Sequence, residues 1–298
     1  MVRHFFQDIL GQPLAIELLV RAMEQERIAP AYLFSGPEGV GKGTTAKALI
    51  TAIVGKVCHP DVLWVEPTYL DRGKLIPSSE AGSLKRKATP QIRLEQVREV
   101  RDFLSRLPLH SPRSMVVLEN AQTMAEPASN ALLKTLEEPG RATIILIADA
   151  GANILPTLVS RCQQIPFWGL SLGDMQTILA RRGITDVPPI LLEQAEGSVG
   201  LALQAYEILQ HTPPELLPTQ HNLPRQPLDS LEMAKAIASL ELDTQLWLAD
   251  YWQKWLWQNW QKNHPVSCLE QAKQYLKNFV QPRLVWEVTL WELVKALV

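Results

Sequence analysis

The chain has 298 residues, of which 46% are hydrophobic and 20% charged, and this balance is ordinary for a globular protein with a real core. Its formal net charge of −2 excludes a global field that would attract nucleic acid or an anionic membrane surface. The three cysteines are far apart, which favours a reducing, cytoplasmic environment without a disulfide framework. No signal-peptide pattern and no membrane-spanning apolar run is visible in the sequence.

Residues 36–44 (GPEGVGKGT) nearly match the pattern of a nucleotide-binding P-loop. Taken alone, two glycines and a lysine at this spacing are weak evidence. A β-type apolar run at 31–34 precedes the loop, however, and helix-favouring residues at 44–54 follow it. Strand, glycine loop and helix form the context that a P-loop requires. The sequence therefore predicts a phosphate-binding ancestry for this loop.

The loop departs from the pattern directly after Lys42. A serine or threonine is expected there, because its hydroxyl holds Mg²⁺, but Gly43 occupies the position and Thr44 arrives one residue late. Backbone N–H groups at a helix start can still bind phosphate without any side chain. ATP hydrolysis, nucleotide binding alone and neither of these all stay open here. The candidate residues of this degenerate nucleotide site, including one carboxylate from a later strand, are Gly36, Gly39, Gly41, Lys42, Thr44 and Glu119.

Strand-like and helix-like segments alternate from residue 61 to about residue 167. The pattern predicts strands at 61–65, 115–118 and 143–148, helices at 92–107 and 128–137, and a loop at 70–90. Alternation of this kind predicts an α/β domain whose parallel sheet is covered by helices on both faces.

The strand signal disappears from residue 170 onward, and short helical patterns replace it. Five prolines in segment 212–227 are typical of a linker, and the residues after it are helical in pattern. The predicted domains are an α/β P-loop domain at 1–168, a small all-α domain at 169–211, a linker at 212–227 and a second all-α domain at 228–298.

The last predicted domain is rich in tryptophan, which permits two interpretations. Aromatic side chains can stack on nucleic-acid bases. Here, however, Trp252 and Trp255 lie at helical spacing with few positive charges beside them, which favours a packed helix face or a subunit interface.

The strand predicted at 115–118 is followed by Glu119 and Asn120. In a P-loop ATPase such a strand ends in two carboxylates, one that orders Mg²⁺ and one that polarises the attacking water. Glu119 is one methylene longer than the usual aspartate, and the Asn120 amide cannot accept a proton. An ordinary buried strand that ends in a polar loop would look the same, and neither interpretation provides a general base.

Arg161, between Ser160 and Cys162, follows the strand predicted at 143–148 after a short connection. It could pair with a local carboxylate, which is the usual situation of a surface arginine. It could also act as an arginine finger towards the γ-phosphate held by a neighbouring subunit. Spacing alone leaves both alternatives open.

Several separate motifs together resemble the bacterial AAA+ clamp-loader subunits of DNA polymerase III. The resemblance is dense over residues 5–205. It is carried by residues 130–139 (NALLKTLEEP), 160–162 (SRC), 6–12 (FQDILGQ), 59–61 (HPD) and 91–98 (QIRLEQVR). It implies that the three predicted domains are an AAA+ P-loop domain, a helical lid and a helical collar. The four-cysteine zinc module of most relatives is absent here, and no metal site is expected.

The resemblance implies a subunit of a hetero-oligomeric ring that loads a sliding clamp onto primed DNA. Its implied partners are gamma/tau-type ATPase subunits, delta-type subunits and, through the complex, the clamp and DNA; no membrane is implied. Arg161 matches the family's arginine finger, which acts in trans as part of the polymerase holoenzyme.

Departures from the ATP-hydrolysing relatives indicate that this chain does not hydrolyse ATP itself. They are Gly43, the Glu119-Asn120 pair, Asp149 where a polar sensor is usual, and Gly200 where a phosphate-sensing arginine is usual. No cofactor is therefore required, weak binding of ATP or ADP stays open, and Mg²⁺ is not expected. Two alternatives remain: an ATPase that uses Thr44 and Glu119 at its own loop, and a nucleotide-free structural subunit.

Overall fold

The computed structural model describes residues 2–71, 73–80, 89–151, 154–219, 222–260 and 263–297. The chain divides into two compact units, Met1–Asp174 and Met175–Val298, called the first and second unit below. In the described ranges, no helix combines the length and the apolar character that crossing a bilayer demands.

The first unit is an α/β domain built on a five-stranded parallel sheet. The strands of this unit are β1 (Ala31–Ser35), β2 (Val62–Val65), β3 (Thr68–Asp71), β4 (Lys74–Pro77), β5 (Ser114–Leu118), β6 (Ala142–Ala148) and β7 (Gln163–Pro166). Five of them form the parallel sheet, and β3 and β4 form a separate pair. The parallel sheet has the order β2-β5-β6-β1-β7. Its helices are α1 (Pro13–Glu24), α2 (Lys42–Val54), α3 (Leu94–Leu104), α4 (Glu126–Glu137), α5 (Pro156–Val159) and the start of α6 (Leu172–Arg181). The predicted fold class is confirmed.

The core of the first unit lies around β5 and β6, where every residue is buried. Strands covered on both faces read as continuous apolar runs, which is why the sequence pattern located them. In the sheet register Ser35 pairs with Ala148, and Leu118 pairs with Leu146. The carboxyl ends of β1, β5 and β6 therefore meet at one edge, where parallel α/β sheets bind ligands.

The prediction of a loop at 70–90 is wrong for the first half of this segment. Strands β3 and β4 form an antiparallel hairpin in which Leu70 pairs with Leu75, and a 3₁₀ helix follows at Ser78–Glu80. The turn contains Gly73 with φ +81°, a backbone conformation that glycine adopts without strain. Strands of four residues are too short for a recognisable alternation. The rest of the predicted loop includes residues 81–88, which lie outside the described residues.

The second unit is helical, as predicted. It contains the remainder of α6, then α7 (Pro189–Gln194), α8 (Val199–His211), a 3₁₀ helix (Pro214–Leu216), α9 (Pro227–Ala238), α10 (Leu242–Trp260), α11 (Asn263–Lys277) and α12 (Pro282–Leu297). Helix α12 packs against α9 and α11, and α10 packs against α11. Trp252 is fully buried in this core and Trp255 packs against it half-buried, which confirms the packing interpretation for these two residues. Trp286 is fully buried in the same core.

The proline-rich segment 212–227 is packed into the second unit. Its Leu216 and Leu223 are buried, and the indole of Trp252 donates a hydrogen bond to the Leu216 carbonyl at 2.9 Å. The predicted lid and collar thus both contribute to this unit, whose boundary lies at Asp174. The sequence shows the prolines of the segment but not that the leucines between them are buried.

Candidate functional site

The P-loop joins β1 to α2 and depends on glycine for its backbone. Gly39 and Gly41 have φ of +71° and +103°, which favour glycine. A Cβ on Gly36 would lie 2.4 Å from the Phe167 carbonyl oxygen, so only glycine permits this close approach to the residue after β7. These three candidate residues therefore have a structural role whether or not the loop binds phosphate.

Lys42, the P-loop lysine, is buried and bonded entirely to the protein. Its ammonium group donates to the Gly36 carbonyl, to the Pro37 carbonyl at 2.7 Å and to Asp149 Oδ1 at 3.2 Å. A lysine ammonium has three donors, and these three acceptors account for all of them. Burial lowers the pKa of Lys42, and Asp149 opposes that shift.

Asp149 is fixed from its other side as well. Gln122 donates a hydrogen bond to Asp149 Oδ2 at 2.8 Å, while Oδ1 accepts from Lys42. The sequence singled out Asp149 as a carboxylate at the position where a polar sensor is usual. The structure shows that the Asp149 carboxylate is paired with Lys42, the residue that a bound phosphate would otherwise contact.

Glu119 follows β5 and lies opposite the position of the missing hydroxyl. A Cβ on Gly43 would be 3.7 Å from Glu119 Oε1, an ordinary van der Waals distance, so a larger residue would fit there. Burial raises the pKa of Glu119, although its carboxylate accepts a hydrogen bond from the Trp64 indole. Glu119 therefore lies beside the start of α2, and its carboxylate already has a protein partner.

Thr44 does not take the place of the missing hydroxyl. It is exposed on α2, one residue and so about 100° further around the helix than Gly43. The next residue, Thr45, is buried, and its hydroxyl donates to the Gly41 carbonyl at 2.9 Å. The residue between Lys42 and Thr44 that lies beside Glu119 is Gly43, which has no hydroxyl.

Arg161 lies just after α5 and forms an exposed ion pair. Its guanidinium donates to Glu137 Oε1 at 2.7 Å and to the Thr157 carbonyl at 3.0 Å. The two side chains are 38% and 52% exposed, so solvent screens their attraction. Sequence reasoning missed Glu137 as the partner, although it belongs to the segment 130–139 that carried the family resemblance.

A second residue that sequence reasoning missed is Gln12, at the end of the segment 6–12. Its fully buried amide donates to the Val40 carbonyl at 3.3 Å and to the Trp168 carbonyl at 2.7 Å, and it accepts from the Trp168 N–H at 3.2 Å. The amide thereby joins the P-loop to the residues after β7. The sequence signal that could have indicated a role for Gln12 is that this polar residue directly follows Gly11.

Asp61, the last residue of the HPD motif, anchors a loop at the opposite edge of the sheet. Its carboxylate accepts hydrogen bonds from the backbone N–H groups of Leu109, His110 and Ser111 at 2.6–2.9 Å, and from the Ser111 hydroxyl. Burial alone would raise the pKa of Asp61, but these bonds outweigh it and hold the pKa well below its usual range. The motif therefore has a clear structural role.

Two of the three cysteines, Cys162 and Cys268, lie in surroundings that disfavour the reactive thiolate. Burial raises the pKa of Cys162 to about 11 and that of Cys268 to about 12, so both thiols stay protonated. Over the part of the chain that the structure describes, no three histidine, cysteine or acidic residues are grouped so that they could hold a metal ion.

Family models match both units. Residues 11–171 match the model described as DNA polymerase III, delta subunit. Residues 173–293 match the model described as cyanobacterial DNA polymerase III delta prime, C-terminal domain.

Individual relatives agree with these models. The chain is 26% identical over 212 residues to DNA polymerase III subunit delta' of Bacillus subtilis, covering 65% of this chain and 58% of that protein. It is 29% identical over 202 residues to subunit tau of the same organism, covering 67% of this chain and 35% of that protein. The chain thus spans between about a third and three fifths of the length of these curated relatives.

A solved structure supports the fold. It is a DNA polymerase III gamma subunit-related protein from Thermotoga maritima, with a TM-score of 0.57 and 16% identity over 95% of this chain and 99% of that one. At this identity the likeness concerns the fold alone. The delta subunit model, in contrast, matches more than half of the 298 residues. The chain therefore belongs to the DNA polymerase III delta subunit family.

Proposed function

We propose that this chain is the delta-prime subunit of a cytoplasmic replicative clamp loader. Its partners would be gamma/tau-type ATPase and delta-type subunits in a hetero-oligomeric ring that places a sliding clamp on primed DNA. The match of residues 173–293 to a delta-prime model supports delta-prime over gamma/tau. The delta' relative is also covered over more of its length than the tau relative.

We further propose that the chain does not hydrolyse ATP at its own P-loop. The observation that carries this is the saturated ammonium group of Lys42, whose partners include the Asp149 carboxylate. A bound phosphate would have to break that ion pair and lie beside a negative charge. Gly43 offers no hydroxyl, and Glu119 is bonded to Trp64, so these residues do not suit magnesium triphosphate. No cofactor is required.

The chemical contribution of the chain would be Arg161, presented to ATP on a neighbouring subunit. A guanidinium is planar and permanently charged, which suits the spread negative charge of phosphoryl transfer. The bond to Glu137 holds this group at the surface of the first unit. An exposed pair of this kind is worth at most about 1 kcal/mol, so a triphosphate can readily replace Glu137 as the partner.

Arg161→Ala in the reconstituted ring tests this role. We expect ring assembly to be unchanged, and turnover at the ATP site that Arg161 faces to fall by about 10³–10⁵-fold. Arg141→Ala removes another exposed arginine of the same unit and should leave the DNA-stimulated ATPase unchanged. An Arg161→Ala ring with full ATPase activity would instead favour a purely structural subunit.

The purified chain alone tests the other alternative. With ATP and Mg²⁺ it should show no turnover above background. Turnover that disappears in Lys42→Ala would demonstrate an active site in this P-loop and would contradict the proposal.

A further inference from the structure

Helix α12 is apolar on two opposite sides. Its inner side contributes Trp286 and Leu290 to the core of the second unit, where both are fully buried. Its outer side carries Leu284, Val288 and Trp291, which are 51%, 50% and 39% exposed. A helix that is apolar all round is normally buried on every side. The outer side of α12 is therefore a candidate surface for a partner.

The three exposed side chains form one stripe along the helix. They are four and three residues apart, so at about 100° per residue they lie within about 60° of one another around the helix axis. Lys295 continues the stripe four residues after Trp291. Its ammonium group lies 5.3 Å from the centre of the Trp291 ring, which is a cation–π distance. The stripe (Leu284, Val288, Trp291 and Lys295) is about 16 Å long.

The spacing of the stripe fits another α-helix. Intervals of four, three and four residues are those of the d and a positions of a coiled coil, where each side chain enters a hole between four residues of the facing helix. A membrane surface is a poorer match, because helices that lie in a bilayer interface are rich in lysine and arginine. Helix α12 has only two basic residues, and two acidic residues balance them. The complement of the stripe is thus a helix with its own apolar stripe.

The charge of Lys295 argues against a second copy of this chain as the partner. A parallel pair of α12 helices would bring the two Lys295 ammonium groups together. An antiparallel pair would place each Lys295 opposite Leu284 of the other copy. The carboxylate near that end of the helix, Glu287, is already paired with Arg283 at 2.8 Å. Charge complementarity therefore calls for a carboxylate opposite Lys295 that a different chain supplies.

We propose that the stripe packs against one α-helix of the gamma/tau-type ATPase subunit that adjoins this chain in the ring. The inference rests on the proposed function, in which Arg161 faces ATP on a neighbouring subunit, so that this neighbour has to be of the ATPase type. The contacting helix would carry apolar side chains at heptad spacing and a carboxylate opposite Lys295. Tryptophan is enriched among interface hot spots, so Trp291 should contribute most to this contact.

The test measures the affinity of the complete chain for the purified gamma/tau-type subunit. The triple variant Leu284→Gln, Val288→Gln, Trp291→Gln should bind at least about 100-fold more weakly, because the apolar surface is lost. Glutamine keeps the helix propensity, and the replaced side chains are exposed. The triple variant should therefore still show the circular dichroism of the wild type and a cooperative urea transition.

A matched control removes one tryptophan and two leucines of similar exposure from other helices of the second unit. It is the triple variant Leu201→Gln, Leu242→Gln, Trp257→Gln. This control should bind as the wild type does. The charge is tested separately: Lys295→Glu should weaken the same complex about tenfold, whereas Lys295→Arg should largely preserve it.

A photo-crosslinking amino acid at position 288, in a ring assembled from all its subunits, identifies the occupant. We expect crosslinks to one helix of the gamma/tau-type subunit. Crosslinks only to a second copy of this chain, to the delta-type subunit or to the sliding clamp would overturn the proposal. So would binding to phosphatidylcholine–phosphatidylglycerol vesicles that needs the stripe, or wild-type affinity of the Leu284, Val288, Trp291 variant.

The same measurements separate this inference from the proposed function. If the wild-type chain joins no ring, the proposed function fails as well. If the ring forms and its ATPase depends on Arg161 but the stripe variant binds the gamma/tau-type subunit as the wild type does, this inference alone fails.

Discussion

Asp149 lies where its side chain meets the lysine of the P-loop. Its carboxylate pairs with the lysine that would otherwise meet a phosphate, and Gln122 fixes its orientation. The protein thereby supplies an internal anion for its own phosphate loop. An intact Gly36–Lys42 framework can consequently persist with a structural role, since glycine is needed there for the backbone alone.

Asp149→Asn should restore nucleotide affinity to the P-loop. The substitution removes the charge that competes for Lys42 and repels phosphate, and we expect ADP to bind about tenfold more tightly or better. Adding Gly43→Thr should make this affinity depend on Mg²⁺, because position 43 faces Glu119. Calorimetric titration of ADP into each variant measures both effects. Asp186→Asn, which removes an exposed charge from the second unit, is the control; equal affinity of Asp149→Asn and wild type would contradict the internal-anion argument.

At the scale of the elements, the backbone of the loop after α3 is held by one buried charge, the carboxylate of Asp61. The pKa of Asp61 is lowered on folding, so its ionised form stabilises the folded state. That contribution is fully present above the unfolded pKa of about 3.9 and is lost as the pH falls towards the lower folded pKa.

Asp61→Asn should therefore destabilise the first unit in a pH-dependent way. Near neutral pH we expect a loss of about 2 kcal/mol or more in the free energy of unfolding, because three backbone N–H groups lose a charged acceptor. The difference from wild type should shrink below about pH 4, as the wild-type carboxylate gains its proton. Urea unfolding across this pH range measures it, with the exposed Asp102→Asn as control. A difference that does not change with pH would show that the charge is not what holds the loop.

The elements that the sequence predicted well are those with a strong hydrophobic pattern. Strands β5 and β6 are buried throughout, and the helix faces of α3 and α4 repeat with helical period, so burial and pattern coincide. The β3–β4 hairpin has four-residue strands and was missed. Partners that depend on tertiary contact were also missed: Glu137 for Arg161 is 24 residues away, and Asp149 for Lys42 is 107 away. The residue types in the sequence suggested where the candidate site lies. The sheet register, which brings the carboxyl ends of β1, β5 and β6 together, could not be predicted from them.

On the scale of the whole chain, the second unit joins helices that the sequence assigned to separate domains. Ile190 and Leu191 of α7 and Ala205 of α8 pack in one cluster with Tyr251 of α10. Glu193 at the end of α7 accepts a hydrogen bond from Gln258 at 2.7 Å. Shared burial of this kind couples the stability of the lid helices to that of the collar helices.

Leu191→Ala tests whether the predicted lid and collar behave as one folding unit. Truncation of a fully buried leucine should cost about 2–5 kcal/mol, and because the cluster is shared, hydrogen exchange should accelerate in α10 as well as in α7 and α8. Leu201→Ala, which truncates a side chain of α8 that is 41% exposed, should change neither the stability nor the exchange rates. Acceleration confined to residues 189–211 would mean that the helices at 169–211 and 228–298 fold independently. Leu191 would then stabilise a lid that is separate from the collar.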